Sequence, residues 1–313
     1  MSEGPLSRAA RLLGHREAGH SLAIFRVAVG LIVLHMLGAL IWTESLAPIW
    51  MNPEDGGLRD RKVTQWLAVA VGAPAPSGVL ALVAGAAAGA LALTVGLGAR
   101  IGALLTLQCL LALFSVHQSS GGGHDRLILN ALWLLVLASS DRSLSLRSRL
   151  QTGRWWNDTP VAAWPRWLAV FQICLVYTAT GLQKVNPEWF PWGGLEAVYR
   201  SLLLPSWARY DLSGWLGDIE PLLQAATALT WLWESSFFLV IAALYWRATR
   251  TRPGRARALS NRWDLRLAYL LIGIAMHLGL TALMELGPFG LISMSFYACM
   301  LSPDEWSAKL RRS

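Results

Sequence analysis

The sequence predicts an all-α integral membrane protein, a polytopic bundle of about eight transmembrane helices with both termini in the cytoplasm. Three observations carry this prediction. Of 313 residues, 54% are hydrophobic and only 15% charged, with a mean hydropathy of +0.42. That is too apolar for a soluble domain. The apolar residues come in runs near the length that crosses a bilayer. The basic residues between the runs alternate in density, as the positive-inside rule requires.

Taken in order, the expected spans are 21–43, 77–98, 101–117, 126–140, 165–184, 222–245, 267–286 and 288–301. The first run is longer than a signal-peptide core and no small-residue cleavage site follows it, so it is expected to remain as a helix. The fourth and eighth are near the short limit, and 64–73 reads as an extra interfacial or re-entrant piece before the Pro74-Ala-Pro76 break. The second, GVLALVAGAAAGALALTVGLG, carries Gly85 and Gly89 at GxxxG spacing, which suits close helix packing. The whole of 1–313 reads as one transmembrane domain, with 1–20 and 302–313 as cytoplasmic tails.

Arginine placement tests the count. Arg8, Arg11 and Arg16 lie in the N-terminal tail, Arg100 in the second-to-third turn, and Arg142, Arg147, Arg149 and Arg154 after the fourth span. The sixth-to-seventh connection carries seven arginines from Arg247 to Arg266 against Asp264, and the C-terminal tail adds Lys309, Arg311 and Arg312. The alternate connections are acidic or balanced: Glu44, Glu54, Asp55 and Asp60 in one, Glu188, Glu196, Asp211, Asp218 and Glu220 in another. These belong outside, which puts Lys184 at the outer end of span five and His124 at the outer start of span four.

The net charge of +8 is accounted for by topology. No basic stripe is interleaved with aromatics as strand binding would need, so nucleic acid is not an expected partner. Cys109, Cys174 and Cys299 lie inside apolar runs at no metal-ligand spacing, so neither a disulfide framework nor a metal site is expected. No internal repeat or inverted pair of broken helices is evident, which disfavours a transporter.

Polar groups inside spans mark function more often than chance. On span five, Tyr177, Thr180, Gly181 and Lys184 fall at spacings of three and four, and therefore share one helix face. The bland alternative is a lysine snorkelling to the interface among Trp189, Phe190 and Trp192. Span six places Thr227, Thr230 and Glu234 on one face; an ionised carboxylate there is costly, so Glu234 is expected to be protonated or paired with a base such as Arg26 or His277. Span seven repeats the pattern with His277, Thr281 and Glu285, giving an expected outward mouth at Lys184, His124 and Glu285. Arg26, one turn into the first span, is expected to snorkel, and His35 to be a hydrogen-bonded core residue. In SSGGGHDR, Ser119 to Arg126, three glycines permit a tight turn before His124, whose imidazole is able to hold a proton near neutral pH, and Asp125 is placed to cap the helix that follows.

The run VYTATGLQKVNPEWFPWGG, from Val176 to Gly194, resembles the membrane part of vitamin K-dependent gamma-glutamyl carboxylase and of its bacterial relatives, the horizontally transferred transmembrane domain (HTTM) proteins. The helix start at His124, which leads to SSDRSLSL, and the segment MHLGLTALMELGPFGLISMSFYACMLSPDEWSAKL are similar to further parts of that family. The resemblance runs from Arg26 to Leu310. It implies Lys184 as the catalytic base and His124 as its active-site partner, and the residues singled out above on the polar helix faces and aromatic segment, Tyr177, Thr180, Trp189, Glu234, His277, Thr281 and Glu285, are then expected around the quinone and substrate.

What it implies further is a carbon–carbon lyase of the quinone-epoxidising type in a bacterial inner (cytoplasmic) membrane. The cofactor would be a reduced quinone, vitamin K or menaquinone hydroquinone, used with oxygen and carbon dioxide and without a metal. The partners would be the lipid bilayer, the quinone and a small secreted peptide, whose glutamate would be carboxylated. To serve as a base near neutral pH, an amine needs an apolar, water-poor site. The chain departs from the carboxylase in two ways: Gln183 stands where the animal enzyme has a second lysine, and the sequence ends soon after the last expected span. A small peptide, a lipid or another quinone reaction stay open as substrate chemistry. The rival reading is a non-catalytic membrane protein for maturation, export or immunity of a secreted peptide.

Overall fold

A computed structural model describes residues 13–58, 62–117 and 120–310. Several residues named above, Arg8, Arg11, Asp60, Ser119, Arg311 and Arg312, lie outside these, and the Lys309 side chain is likewise not described. The chain is mostly helical and forms two compact units, one of residues 1–169 with 301–313, the other of 170–300.

The first unit begins with strand β1 (Arg16–Ala18) and helix α1 (His20–Trp42), followed by α2 (Pro76–Val95), α3 (Ala99–Val116), α4 (Gly123–Leu137) and α5 (Leu146–Thr152). Strand β2 (Pro160–Ala162) pairs antiparallel with β1, with Glu17 opposite Val161. Part of the expected tail is thus ordered. Three-residue strands leave no periodicity to read, and what secures this pair is Arg166, whose guanidinium donates to both carboxylate oxygens of Glu17 at 2.5 and 2.8 Å. The extra piece expected before Pro74 is a short helix, Trp66–Ala70, capped by the Gln65 side chain accepting from Ala68 N–H at 2.7 Å.

Helices α2 and α3 pack through the small residues that the GxxxG spacing marked. A Cβ on Gly89 would lie 2.7 Å from the Gly102 carbonyl oxygen, and one on Gly85 2.9 Å from Cys109 Sγ. Only glycine allows that approach. All three cysteines are free and buried.

Helix α6 (Trp164–Gln183) leads into the second unit, which holds α7 (Ala197–Leu202), α8 (Glu220–Ser235), α9 (Leu239–Ala248), α10 (Arg255–Trp263), α11 (Leu265–Leu283) and α12 (Phe289–Ser295), whose last turns tighten to 3₁₀ up to Met300. Helix α13 (Pro303–Leu310) returns to the first unit. Among the described residues, α1, α2, α3 and α11 are each long and apolar enough to cross a membrane, and α8 with α9 make a fifth if counted as one bent span. The other expected spans are helical but shorter or less apolar: α4 has 15 residues, and Phe289–Met300 has 12.

Span six, expected over 222–245, is two helices rather than one. It breaks after Ser235 and bends by 57°. The sequence there holds no proline but two serines in a row, and each hydroxyl donates back to its own helix, Ser235 to Trp231 O and Ser236 to Leu232 O. Back-bonding hydroxyls compete with the backbone ladder and bend helices. Glu234 therefore sits at the end of a half-helix.

Two expectations in the first unit are overturned. Arg26 does not snorkel: it is fully buried, and its guanidinium donates to the carbonyls of Ser140, Leu93, Thr94 and Leu144. The Leu93 and Thr94 carbonyls belong to the last turn of α2, which ends at Gly96 in the left-handed conformation; there the Leu93 oxygen also accepts from Gly96 N–H at 3.2 Å. His35 is not a core residue but exposed, because the buried side of α1 runs through Val29, Ile32, Val33, Met36 and Leu37.

Candidate functional site

Lys184 follows the last residue of α6, and what brings it to a partner is Gly181. A Cβ there would collide with Ser235 N and lie 2.7 Å from the Glu234 carbonyl carbon. Backbone meets backbone at this point, one turn before the lysine. Lys184 Nζ is thereby ion-paired with Glu234 Oε2, and it also lies 4.7 Å from the centre of the Trp189 ring. The two side chains are 14% and 10% exposed. The expected pairing of Glu234 with Arg26 or His277 is corrected: Lys184 is its partner, and Arg26 is fully used by carbonyls in the other unit.

Seven residues earlier on the same face of α6, roughly 10 Å along the axis, lies Tyr177. Its hydroxyl is 2.5 Å from His277 Nε2 and 2.9 Å from the Tyr297 hydroxyl. Trp233 and Phe237 pack on its ring, with centroids at 4.7 and 4.6 Å. Gly273 makes room: a Cβ would lie 2.6 Å from Trp233 and 3.0 Å from Tyr297 Cζ. His277 is 1% exposed and its Nδ1 has no hydrogen-bond partner among the described residues. A Lys–Glu pair therefore stands on the same helix face as a buried Tyr–Tyr–His chain.

The other expected site residues go elsewhere. Thr180 is exposed and its hydroxyl donates to Val176 O at 2.7 Å, so the stripe on α6 is Tyr177, Gly181 and Lys184 without it. Thr281 is half-buried against Gly290, whose Cβ would fall 2.5 Å from Thr281 Oγ1. Glu285 does not continue the His277–Thr281 face, because α11 ends at Leu283 and Met284 is extended, bridging to Ala208. Its carboxylate is 3.4 Å from Arg209 Nη1 and 57% exposed. His124 belongs to the first unit, at the start of α4; its Nε2 is 3.5 Å from Asp125 Oδ2. Asp125 does cap that helix, accepting from Gly122 N–H at 2.6 Å.

Two clusters escaped the sequence reading. Tyr297 sat within an apolar run, SMSFYACM, where the one polar residue at helical spacing is Ser293, a small hydroxyl at i−4 that gives little signal. In the first unit, His20 stacks on Trp156 at 4.2 Å, its Nδ1 2.9 Å from Ser143 Oγ and its Nε2 2.8 Å from Asp158 Oδ1. This has the residue types of a hydrolase triad, but Ser143 is fully buried and its oxygen already accepts Asn157 N–H. It is a lock, not a nucleophile. Among the described residues no three His, Cys, Asp or Glu side chains are grouped to hold a metal ion.

The HTTM domain matches residues 15–254, three quarters of the chain and all of the Lys184–Glu234 site. The chain belongs to the HTTM family. HTTM domains are associated with vitamin K-dependent carboxylase-like membrane proteins, and this HTTM protein, with its apolar helices, is an integral membrane protein. No curated protein and no solved structure matches it.

Proposed function

We propose that this HTTM protein is a carboxylase-like enzyme of a bacterial inner membrane, with eight spans, cytoplasmic termini, and Lys184 as the base toward a reduced quinone on the outer side. The observation that supports it is the Lys184–Glu234 pair, held in a largely closed place by backbone contact at Gly181. A free ammonium is no base. Paired with a carboxylate, it has somewhere to leave its proton: Glu234 takes it, the Nζ lone pair is freed, and the pair is neutral before and after.

The donor set fits a hydroquinone headgroup of the vitamin K or menaquinone kind, offering an amine and a carboxylate to a phenolic hydroxyl and the Trp189 face to a flat ring. Such a group, when bound, would supply the reducing power that with oxygen generates a base strong enough to carboxylate a peptide glutamate with carbon dioxide. The protein's own part is to receive the hydroxyl proton at Lys184 Nζ and to exclude water around it. Tyr177 and His277 are assigned to holding the face of α6 against α11.

The test is turnover of vitamin K hydroquinone, with and without a glutamate peptide, by the protein in liposomes. Lys184→Ala is expected to lower it at least about a hundredfold, the range of a lost general base. Unchanged turnover removes Lys184 as the base. One observation favours a second reading, a binding protein that matures, exports or gives immunity to a secreted peptide. The ammonium is already neutralised by Glu234 under Trp189, as a structural latch would be. Lys184→Arg keeps charge and pairing, so a latch tolerates it better than Lys184→Met, whereas a base is lost in both.

A further inference from the structure

The connection from α9 to α11 carries seven arginines, from Arg247 to Arg266, and one carboxylate, Asp264. Asp264 is taken internally, by Arg247 at 3.2 Å and Arg266 at 2.9 Å. Arg257 is turned onto its own loop, donating to Thr249 Oγ1 at 3.1 Å and to the Pro253 carbonyl at 2.5 Å. Arg250, Arg252, Arg255 and Arg262 are exposed. Sidedness alone would need such charges, but it would not need them on a shaped helix.

Helix α10 is shaped. One side is docked: Ser260 is buried, and the Asn261 amide donates to Trp246 O at 3.1 Å. On another side Ala256, Leu259 and Trp263 follow one another at i, i+3 and i+7, all exposed, Leu259 by 60% and Trp263 by 69%. Arg255 and Arg262 lie together along one side of this stripe, with the Arg262 guanidinium 5.5 Å from the Trp263 ring centre. An apolar stripe edged by arginines is the pattern of a helix lying in a membrane interface. Nine residues would bind poorly alone, but α10 ends two residues before the apolar helix α11 begins, so its place at the membrane boundary is fixed by the chain.

We infer that α10 lies in the interface as an anionic-phospholipid site, with Leu259 and Trp263 at the acyl boundary and Arg250, Arg252, Arg255 and Arg262 on lipid phosphates. The exposed cations select the headgroup, each contributing roughly a fivefold preference near an anionic surface. The apolar stripe selects a lipid over a soluble phosphate.

The test places a bimane on Trp263→Cys in the full-length protein, since the native cysteines are buried and free. The protein is put into nanodiscs of phosphatidylcholine with about 30% phosphatidylglycerol, an anionic fraction large enough to set up a surface potential. Bromine is carried on the acyl chains of one lipid or the other. Per mole of brominated lipid, quenching by phosphatidylglycerol is expected to exceed that by phosphatidylcholine at least about fivefold. The preference should vanish in R250Q/R252Q/R255Q/R262Q and fall in about 0.5 M salt, where exposed charges are screened. Leu259→Ser, with all arginines kept, should weaken quenching by both lipids. Equal quenching by the two lipids, no quenching, or loss of the preference on adding glycerol phosphate would each overturn the inference.

Discussion

Glu234 ends a half-helix at the point where Gly181 lets α6 lie backbone to backbone against it, and Lys184, one turn on, closes onto its carboxylate. Three unrelated features of the sequence make one contact: a missing side chain on α6, a serine pair that breaks span six, and a lysine just past a helix end. None of them is apolar. The site is thus set by the places where the membrane pattern is interrupted, which is where broken helices elsewhere hold polar groups.

Removing one partner leaves the other charge in a largely closed place. Lys184→Met or Glu234→Leu alone is expected to cost about 3 kcal/mol of stability, while the double variant recovers most of that, since an ion pair taken out whole is often neutral. Thermal or denaturant unfolding in mild detergent, run as a double-mutant cycle, measures the coupling. Additive losses would show that water already solvates the pair. The double variant is expected to be folded and without quinone turnover, which separates the stabilising part of the contact from the chemical part.

The Tyr177 hydroxyl links two groups, and its loss should therefore cost more than loss of the terminal link. Tyr177→Phe keeps the ring against Trp233 and Phe237 but leaves His277 Nε2 and the Tyr297 hydroxyl each short of a partner. About 2 kcal/mol is expected, against about 1 kcal/mol for Tyr297→Phe, by the usual cost of unsatisfied buried groups. Unfolding of the two variants gives the ranking, and a reversed order would mean that the Tyr297 hydroxyl carries a bond beyond this chain.

Much of this was legible in the sequence, and the failures share a cause. Apolar runs located the helices, and spacing on α6 singled out Tyr177, Gly181 and Lys184. GxxxG gave the α2–α3 contact, because glycine spacing reports directly on how near two backbones come. Partners were not legible. A buried charge announces that it needs one, but Arg26 found carbonyls at a helix end and Glu234 found Lys184, and carbonyls have no sequence signature. Thr180 and Glu285 were misplaced for the opposite reason. Periodicity continues on paper after a hydroxyl has turned back on its own helix or a helix has stopped at Leu283.

Arg26 gives the sharpest test of that account. Its guanidinium reaches carbonyls of two segments, Ser140 O at 3.2 Å and Leu144 O at 2.5 Å in one, Thr94 O at 2.8 Å and Leu93 O in the other, from a fully buried position on α1. A leucine fills the space and donates nothing, so Arg26→Leu removes the donor from four buried carbonyls, of which Leu93 O keeps the Gly96 N–H at 3.2 Å. With each of the other three costing about 1 kcal/mol or more, the total is about 3 kcal/mol, enough to deplete the folded state of a marginally stable protein. Lysine keeps the charge but presents one compact head where the fork reaches apart, so Arg26→Lys should fall between. Folded yield by fluorescence-detected size exclusion and thermal unfolding in detergent provide the comparison. If Arg26→Leu matches the parent protein in both, the carbonyls at the end of α2 are being satisfied by water, and the junction of α1, α2 and the 140–144 segment is wet rather than stapled.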